Sequence, residues 1–524
     1  MNHQHQNVAE YLLDGKNDSH LALLTLQGNH SYGELAAASA AVSVYLVKAG
    51  GRKGERAILA GENSFFWAAA YLGILRAGMV VVPLPSAISD QDYEYVVGTT
   101  EARFGFLGSA FGSRRQHRFP EDRLITDTAV LRKDGRTAGR NLDQLRAETT
   151  ATTVNCPAVH RSDLAALMFT SGSTGKPRGV MVTHSNIMAN TDSIIEYLSL
   201  TDKDRIMTVL PFHYCFGTSL LHTHLRAGGV LVLDHRFMYP EAVLQRMAET
   251  QCTGFAGVPS HYQILVRKTS LRKRSFPHLR YVQQAGGHLA PVFLRGLREA
   301  LPGAQIFVMY GQTEATARIS CLPPEHLDSK LGSVGKGIPG VKISVLKEDG
   351  QEARAGESGE IVIEGENVTQ GYWRDPEGTA GTFREGKLYT GDQATVDSDG
   401  FLYIVGRKGD FLKCGGKRIS CKQLEQQLLE FDELLEAAVI GVPDEVMGEA
   451  VKAFVVSRRA RDGVEERLLK FCKDRFPFEL IPREIVTLDA LPKNHAGKVA
   501  KGQLRAATGP RVLSPPQEKV QQSV

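Results

Sequence analysis

Short apolar runs alternate with amphipathic segments between residues 164 and 310, and this alternation is compatible with few architectures. The amphipathic segments have the three-to-four-residue spacing of helices, and each begins with Ser or Pro, which are common at helix starts. Strands that alternate with helices indicate a parallel sheet covered by helices. The predicted strands are 164–169, 230–233, 255–258, 281–284 and 306–310, and the predicted helices are 185–198, 240–250 and 291–301.

Two flanking regions extend this body. Residues 32–85 show the same alternation of apolar runs and amphipathic segments, and we expect them to belong to the same layered body. After Gly332 the runs become alternating and are separated by glycines, which predicts antiparallel hairpins. The predicted elements are helices at 32–49 and 64–77, a strand at 57–60, and hairpin strands at 341–346, 360–363 and 401–405. Asp397–Gly400 is predicted to be a turn, because the run lacks the other ligands of a calcium loop.

Beyond residue 410 the pattern becomes that of a compact α+β unit. Its predicted elements are helices at 421–430 and 464–476 and strands at 437–440 and 451–456. The tail from residue 508, rich in proline and polar residues, is predicted to be disordered. The predicted fold class is therefore α/β, with a large N-terminal domain of layered α/β sheets plus a β-rich subdomain, followed by a small α+β C-terminal domain.

Composition excludes several functional classes. The chain has 62 Lys and Arg against 58 Asp and Glu, and this net charge of +4 is too balanced to indicate a nucleic-acid or membrane-surface partner. The longest apolar stretch, 67–84, is interrupted by Arg76, so we expect no integral membrane segment. The N-terminus lacks the apolar core of an export signal, and the seven cysteines form no CxxC pair. A cytoplasmic protein is expected.

A loop rich in Gly, Ser and Thr, at 170–179, directly follows the strand at 164–169. Small residues let backbone N–H groups approach a polyphosphate, and Lys176 and Arg178 supply positive charge. The loop is not a Walker A motif, because Pro177 follows the lysine and the chain then enters a strand at 180–182 instead of a helix. Taken alone, it fits either a phosphate-binding loop or a flexible hairpin.

Four further motifs follow in order: YGQTE at 310–314, LYTGD at 388–392, GRKGD at 406–410 and PKNHAGK at 492–498. Together with the loop at 170–179, they resemble the signatures of the adenylate-forming superfamily, which contains acyl-CoA synthetases, luciferases and peptide-synthetase adenylation domains. The resemblance extends from about Tyr32 to about Leu504. Within that superfamily the chain most resembles an AMP-forming acyl-CoA ligase.

This resemblance implies a reaction in two steps and a domain arrangement to match. ATP would convert a small carboxylic acid to acyl-AMP with release of pyrophosphate, and the acyl group would then pass to the thiol of coenzyme A. The small domain would be mobile and would rotate between the two steps. The implied divisions are 1–406 for the large ATP- and acyl-binding domain, 407–410 for the hinge, 411–507 for the small domain with the catalytic lysine, and 508–524 for the disordered tail.

The resemblance also implies which residues bind ATP and Mg²⁺. Asp392 would accept both ribose hydroxyls, Arg407 would reach the same sugar, and Tyr310 would stack on the adenine. Glu314, with Thr174, would bind Mg²⁺. Outside the motifs, the same residues would be interpreted as solvated loop, turn or surface side chains. The full predicted nucleotide set is Thr170, Ser171, Gly172, Ser173, Thr174, Gly175, Lys176, Gly286, Tyr310, Gly311, Gln312, Thr313, Asp392 and Arg407.

The remaining implied roles concern the acyl group and the thiol. Lys498 would bridge the substrate carboxylate and the α-phosphate of ATP, and His213 would lie beside the reacting carboxylate unless it is merely a structural histidine. Lys413, Gly415 and Gly416 would line the tunnel for the thiol, although the same stretch also fits a basic surface turn. The catalytic residues implied are thus Lys498, His213 and Glu314.

The segment PFHYCFG at 211–217 resembles the acyl-pocket segment of acyl-CoA synthetases and luciferases. Members that activate amino acids carry an Asp nearby, and none occurs at 211–225, which argues against an amino acid. His222 and His224 near His213 show no metal-ligand spacing. The predicted pocket residues are Tyr214, Phe216, Ser219, His261 and Gln284, whose aromatic and polar character favours a medium-sized or aryl acid.

Other functions stay open at this point. The acyl group might instead be loaded onto the phosphopantetheine of an acyl carrier protein, which presents the same thiol. A non-catalytic adenylate-binding sensor is a second alternative, against which the joint presence of Glu314, Asp392 and Lys498 argues. A light-emitting oxygenase is suggested by fold analogy alone.

Overall fold

The computed structural model describes residues 5–108, 111, 118–128, 130–131, 137–149, 155–171, 176–407, 410–415, 417–458, 463–493 and 499–507. Its chain divides into two compact units, Met1–Gly409 and Asp410–Val524. The larger unit is built on three main sheets and the smaller unit on one. The predicted fold class is confirmed.

A nine-stranded sheet forms the centre of the larger unit. Six neighbouring strands are parallel, and an antiparallel strand or pair closes each edge. In sheet order the strands are Lys336–Gly337, Ser320–Leu322, Gln305–Tyr310, Tyr281–Gln284, Gly254–Gly257, Arg205–Thr208, Val230–Leu233, Leu21–Leu24 and Asn29–Ser31.

A seven-stranded sheet forms a second layer. Its strands, in order, are Pro177–Thr183, Leu164–Ser171, Val80–Leu84, Arg56–Ala60, Phe104–Leu107, Leu124–Thr126 and Arg140–Asn141. The expectation that strand 164–169 belongs to one sheet with the later strands is wrong. That strand pairs antiparallel with Pro177–Thr183 and parallel with Val80–Leu84. One sheet and two layered sheets produce the same alternation of strands and helices, so the pattern could not distinguish them.

Helices cover and separate these sheets. They are Val8–Leu13, Tyr32–Lys48, Phe65–Arg76, Asp90–Thr100, Leu142–Thr149, His184–Leu198, Cys215–Ala227, Pro240–Glu249, Pro259–Lys268, Pro291–Ala300 and Pro376–Thr382. Ser31 and Glu34 form a capping box at the start of the second helix, and Thr183 with Asn186 does so at His184–Leu198. The main core cluster joins residues of both sheets with the buried aromatic rings of Trp67, Tyr71 and Phe212.

The β-rich region after Gly332 is a five-stranded antiparallel sheet, as predicted. Its strands are Val341–Leu346, Ser358–Gly365, Phe383–Arg384, Lys387–Val396 and Leu402–Arg407. The predicted turn at 397–400 joins the last two strands, where the Gly400 N–H donates to the Asp397 carbonyl at 3.0 Å. A short pair, Val130–Leu131 with Thr137–Ala138, stands apart from these sheets.

The smaller unit has a mixed five-stranded sheet with helices. Its strands are Phe411–Cys414, Lys417–Ser420, Leu434–Asp444, Gly448–Ser457 and Glu484–Thr487, and its helices are Cys421–Leu428, Val464–Arg475 and Lys501–Ala506. Its core is formed by apolar residues such as Ile440, Phe454 and Leu504. Within the described parts of both units, no helix combines the length and apolar character needed to cross a bilayer.

Three buried histidines in the larger unit are held in their neutral form. Burial lowers the pKa of His184 to about 4, of His222 to about 3 and of His224 to about 4. His222 Nε2 lies 2.8 Å from the Tyr71 hydroxyl, and His224 Nε2 lies 2.8 Å from the Tyr281 hydroxyl. These are core hydrogen bonds, and no group of three or more metal-ligand side chains occurs among the described residues.

Mild acid should therefore destabilise the fold through these three histidines. The unfolded chain binds a proton at each histidine near pH 6.5, whereas the folded chain does not until pH 3 to 4. Stability is fully present above pH 6.5 and is lost as pH falls, by up to about 1.4 kcal/mol per pH unit for each histidine. Urea unfolding between pH 7 and pH 5 measures this slope. The variant His222→Gln should lower the slope of unfolding free energy against pH, because one proton fewer is taken up on unfolding. An unchanged slope would contradict the conclusion that His222 is neutral in the folded chain.

Candidate active site

The two ends of the segment 170–179 lie in a pair of antiparallel strands at the edge of the seven-stranded sheet. Thr170 lies opposite Arg178, and Ser171 lies opposite Pro177. The predicted loop residues Gly172, Ser173, Thr174 and Gly175 fall outside the described residues. The chain leaves one strand at Ser171 and enters the next at Pro177, and the choice between a phosphate-binding loop and a flexible hairpin stays a prediction.

The two basic residues of this hairpin have different environments. Lys176 is exposed, and its Nζ lies 5.8 Å from the centre of the Tyr95 ring. Arg178 is held more firmly, because its Nε lies 3.3 Å from Asp375 Oδ2 and its guanidinium lies 5.3 Å from the centre of the Tyr372 ring. Lys176 is thus the cation of this hairpin that is available to a ligand among the described residues.

Glu314 lies on a short 3₁₀ turn, Thr313–Ala315, directly after the strand Gln305–Tyr310. Its Oε1 accepts a 2.9 Å hydrogen bond from the Tyr372 hydroxyl. Its backbone carbonyl accepts from both the N–H and the hydroxyl of Thr369, each at 3.0 Å. Burial, reinforced by the Glu314 carboxylate, raises the pKa of Tyr372, so this phenol is a neutral donor.

The Tyr372 segment also pairs with the hairpin. The Met181 N–H donates to the Gly371 carbonyl at 2.9 Å, and the Trp373 N–H donates to the Gly179 carbonyl at 2.7 Å. Tyr372 therefore links the hairpin of one sheet to the carboxylate at the end of a strand in the other. Two motifs more than 130 residues apart in sequence are brought to one place by it.

Asp392 forms the third part of the site. It is mostly buried, at 8% exposure, and it lies opposite Arg407 in the neighbouring strand. Its Oδ2 accepts from the Tyr310 hydroxyl at 2.7 Å, and its Oδ1 accepts from Arg407 Nε at 3.0 Å. The carboxylate raises the pKa of Arg407, and burial, followed by the same carboxylate, raises the pKa of Tyr310. Tyr310 and Arg407 therefore hold the carboxylate in place.

The residues between Tyr310 and Glu314 are closely packed. A Cβ at Gly311 would lie 1.8 Å from the Ala317 carbonyl oxygen, so only glycine fits there. Thr313 Oγ1 lies 3.5 Å from the Cys215 sulfur, which joins this turn to the helix Cys215–Ala227. The Gln312 amide nitrogen is buried without an acceptor among the described residues, and such a donor is a ready partner for a ligand.

His213 is half-buried just before the helix Cys215–Ala227, and its ring centre lies 4.3 Å from that of Tyr214. Asn63 holds the backbone here: its amide nitrogen donates to the Leu210 carbonyl and its oxygen accepts from the Phe212 N–H, each at 2.8 Å. A Cβ at Gly217 would lie 2.0 Å from the Pro211 carbonyl oxygen, so the turn can be this tight only with glycine. His213 is thus presented from a fixed backbone.

The predicted acyl-pocket residues are only partly brought together. Ser219 lines a small cavity of about 20 Å³ between the layers. Phe216 and Ser219 are adjacent on one helix, where the Ser219 hydroxyl donates to the Phe216 carbonyl at 2.7 Å. Tyr214 and Phe216 do not line that cavity. The cavity is lined by Tyr71, Ala166, Met168, Val182, Ile187, Asn190, Thr191, Cys215, Thr218, Ser219, His222, Thr316 and Ala317.

The other predicted pocket residues lie near the Gly286 loop. His261 packs its ring 4.1 Å from that of Phe237, and Gln284 Nε2 donates to the Gly287 carbonyl at 2.8 Å. Gly286 has a left-handed φ of 82°, and a Cβ there would lie 2.9 Å from Val258 Cγ1 and 3.9 Å from Phe216 Cδ1. Gly286, which belongs to the predicted nucleotide set, thus approaches Phe216 closely.

In the smaller unit the structure describes two of the predicted tunnel residues. Lys413 lies in the strand Phe411–Cys414, and its N–H donates to Glu449 Oε2. Gly415 has a left-handed φ of 57°, and its N–H donates to the Met447 carbonyl at 2.9 Å. Lys417, a further basic residue of this stretch, pairs with Glu479 at 2.7 Å. Gly416 and the predicted catalytic Lys498 fall outside the described residues.

Sequence analysis missed three residues of this region. Tyr372 has no motif to mark it, and only its hydrogen bond to Glu314 identifies it. Cys215 lines the cavity and contacts Thr313. Arg318 is a fully buried arginine four residues after Glu314. A cationic residue inside the largely apolar run after the YGQTE motif was the one available sequence signal for Arg318.

The arrangement suits an anionic, phosphate-bearing ligand with a divalent cation. Glu314 Oε2 carries no hydrogen bond in the described part of the chain and is free to coordinate. Mg²⁺ is usually bound by one or two carboxylates together with substrate phosphates, so a single well-oriented carboxylate beside a phosphate-loop hairpin fits this ion. Glu314 and the hairpin thus supply groups that suit a cation and a polyphosphate, and Asp392 adds a fixed acceptor for hydroxyl groups.

Comparison with known proteins agrees with this chemistry. Residues 15–373 match the family model described as AMP-binding enzyme, and residues 423–498 match the model described as AMP-binding enzyme C-terminal domain. The chain is 30% identical to an oxalate–CoA ligase of Arabidopsis thaliana over 88% of this chain and 90% of that protein. It is 31% identical to a feruloyl-CoA synthase of an Amycolatopsis species over 91% of this chain and 94% of that protein.

Solved structures have the same fold. An o-succinylbenzoate coenzyme A synthetase of Bacillus subtilis, in complex with ATP and a magnesium ion, superposes with a TM-score of 0.83 at 28% identity, covering 96% of this chain and 99% of that one. ATP-bound MatB of Rhodopseudomonas palustris gives a TM-score of 0.83 at 29% identity over 96% and 99% of the two chains. An anthranilate CoA ligase with bound anthranoyl-AMP, at 24% identity and a TM-score of 0.86, has the same fold over 96% and 97%.

Proposed function

The chain belongs to the family of AMP-binding enzymes, and on that premise we propose how its residues divide the work of an AMP-forming acyl-CoA ligase. The enzyme joins a small-molecule carboxylic acid to coenzyme A at the expense of ATP, with Mg²⁺. A carboxylate is a poor electrophile, so it must first receive a good leaving group. Attack of the carboxylate on the α-phosphorus of ATP forms acyl-AMP and releases pyrophosphate.

The observation that carries the proposal is the link from Glu314 through Tyr372 to the phosphate-loop hairpin. Lys176 and the backbone at Thr170 and Ser171 would hold the β- and γ-phosphates. Glu314 would coordinate Mg²⁺ through the oxygen that Tyr372 does not bind. Mg²⁺, when bound, offsets negative charge as the phosphate bond breaks. Because phosphoryl chemistry depends on position and charge, a carboxylate fixed relative to the hairpin is what the first step requires.

The nucleoside would be held by Asp392 and its neighbours. The two oxygens of Asp392 each accept one bond from the protein and retain lone pairs for the two ribose hydroxyls. Gly286 and the ring of Tyr310 would border the adenine, and Gln312 would donate its unused amide N–H to the nucleotide. The left-handed turn at Gly286 permits this close approach because a side chain there would collide with Val258.

The acid and the thiol would meet near His213. Its fixed backbone would place the imidazole beside the reacting carboxylate, while Lys498 would neutralise that carboxylate and the α-phosphate together during adenylation. Lys413, Gly415 and Gly416 would then border the path of the coenzyme A thiol. The thiol sulfur attacks the acyl carbon of acyl-AMP and forms the C–S bond of the thioester. The C–O bond to AMP breaks, AMP leaves, and a base accepts the thiol proton.

A mass-spectrometric assay tests the whole proposal. The purified protein is incubated with ATP, Mg²⁺ and a panel of carboxylic acids, with and without coenzyme A, and AMP, acyl-AMP and acyl-CoA are measured. We expect AMP and an acyl-CoA to appear in equal amounts. If acyl-AMP accumulates and is not converted to acyl-CoA when coenzyme A is present, the acceptor in the second step is instead the phosphopantetheine of a carrier protein. Absence of AMP with every acid would refute ligase activity and favour an adenylate-binding sensor.

A further inference from the structure

Arg318 is a buried cation that has no carboxylate counter-ion in the described part of the chain. Only 1% of its surface is exposed. No Asp or Glu oxygen lies within 4.0 Å of its guanidinium among the described residues. Arginine stays protonated even when buried, so the charge cannot be removed by loss of a proton. Buried charges are normally paired, and an unpaired one is strongly unfavourable.

The groups around the guanidinium are neutral and weakly bonded. Its Nε lies 3.4 Å from the Met309 sulfur, and its Nη2 lies 3.5 Å from Gln283 Oε1. Its central carbon lies 4.0 Å from the centre of the Phe216 ring. The Tyr197 hydroxyl, whose pKa burial raises, is a further neutral neighbour. A guanidinium donates from its edge, so an aromatic ring against it does not use its N–H groups.

The backbone of Arg318 is fixed much more firmly than its side chain. Its carbonyl accepts from Asn190 Nδ2 at 3.0 Å and from Asn367 Nδ2 at 2.9 Å, and its N–H donates to Asn190 Oδ1 at 3.2 Å. Thr316, two residues earlier, has a left-handed φ of 66°, which is costly for a β-branched residue. The fold thus holds a cation in a place where the described residues offer it neutral contacts and no carboxylate.

Two other arginines near buried carboxylates show the ordinary arrangement. Arg280 also lies over an aromatic ring, 4.7 Å from the centre of Tyr281, but its Nη2 forms an ion pair with Asp204 at 2.9 Å. Arg236 pairs with the buried Asp234 at 2.7 Å. Arg318 differs from both in that it is almost completely buried and has no carboxylate partner among the described residues.

That location borders the acyl region. The residues immediately before Arg318, Thr316 and Ala317, line the cavity that Cys215 and Ser219 also line. Phe216, which covers the guanidinium, also approaches the Gly286 loop. The guanidinium of Arg318 therefore contacts Phe216, which belongs to the same segment, 211–217, as His213.

We propose that Arg318 is the counter-ion for a second anionic group on the acid, so that the substrate is a dicarboxylate. One carboxylate reacts with ATP beside His213, and the other binds the edge of the Arg318 guanidinium through two parallel N–H donors. This inference rests on the proposed ligase function. A site that contains a buried unpaired cation selects strongly against an acid that lacks the matching group.

Matched acids test the preference. The pairs are succinate with butanoate, glutarate with pentanoate, adipate with hexanoate, and phthalate with ortho-toluate, in which a methyl group replaces one carboxylate. We expect kcat/KM to favour the dicarboxylate of at least one pair by about 10²-fold or more. In Arg318→Met that preference should vanish through loss of the dicarboxylate activity, and Arg318→Lys should retain part of it. Turnover of monocarboxylates alone would overturn the role of Arg318 and leave the ligase function intact, whereas no AMP with any acid would refute the ligase function.

Thermal unfolding separates this role from a structural one. An arginine retained for stability should destabilise the free enzyme when removed, as we expect for the matched control Arg280→Met, which breaks an ion pair. Arg318→Met should leave the melting temperature of the free enzyme unchanged or higher, because it removes an uncompensated buried charge. A lower melting temperature together with unchanged acid preference would overturn the proposal. If Arg318→Met does not fold, the wild-type enzyme decides: its melting temperature should rise with the preferred dicarboxylate and not with its methyl partner at the same concentration.

Discussion

Replacing Lys498 by Ala should reduce acyl-AMP formation by about 10³-fold or more, because the transition state loses the cation that would join the carboxylate to the α-phosphate. Thioester formation from supplied acyl-AMP should change by less than about fivefold, because that step begins after the phosphate bond has broken. The enzyme would therefore lose one half-reaction and keep the other. This selectivity is the clearest consequence of the proposal that Lys498, in the small unit, serves the first step alone.

Two assays and one control variant measure this selectivity. Pyrophosphate release reports the first step, and conversion of synthetic acyl-AMP to acyl-CoA reports the second. Lys493→Ala is the matched control in the same motif, where Lys493 Nζ pairs with Glu436 at 2.7 Å. It should lower stability slightly and leave both steps within about threefold of wild type. Equal loss of both steps in Lys498→Ala, or the same profile in Lys493→Ala, would contradict the assignment.

Elements of the fold were predictable where local pattern decides them. The strands Val230–Leu233, Tyr281–Gln284 and Val341–Leu346 occur at the predicted positions, and the predicted helices are displaced by only one or two residues at their ends. Hydrophobic periodicity and capping residues are signals between residues that are close in sequence. They can therefore be recognised without knowledge of the tertiary contacts. The assignment of strand 164–169 to a sheet failed because pairing partners are distant in sequence and leave no local signal.

The same distinction applies to the site. The phosphate-loop residues and YGQTE are contiguous, so motifs revealed them. Tyr372 and Arg318 matter through contacts that only folding creates: a phenol placed on Glu314 from 58 residues away, and a guanidinium enclosed by several elements. Likewise, the sequence suggested that Arg178 faces phosphate, whereas its nearest charged partner is Asp375. Charge in a sequence identifies a cation but not the anion that it meets.

Asp392→Ala should weaken ATP binding by about 10²- to 10⁴-fold, because a carboxylate that accepts both ribose hydroxyls contributes two charge-assisted hydrogen bonds, each stabilising by about 1.5–3 kcal/mol. The substitution should also lower the melting temperature. It leaves the Tyr310 hydroxyl buried without its acceptor and Arg407 without its ion pair. Affinity must therefore be measured by calorimetry well below the melting temperature of the variant, so that loss of folded protein does not imitate loss of binding.

Asp397→Ala separates the two effects, since it makes the same chemical change at the turn that joins the same two strands. Asp397 pairs with Lys330 at 2.8 Å and accepts the N–H of Phe401 at 2.9 Å, so its removal should also destabilise the β-rich region. It lies at the turn, away from Tyr310 and Arg407 in the strand register, and its loss should leave the dissociation constant of ATP within about threefold of wild type. Unchanged ATP affinity in Asp392→Ala would remove Asp392 from the ribose site. Equal weakening in both variants would attribute the effect to the stability of this sheet and not to a contact with the nucleotide.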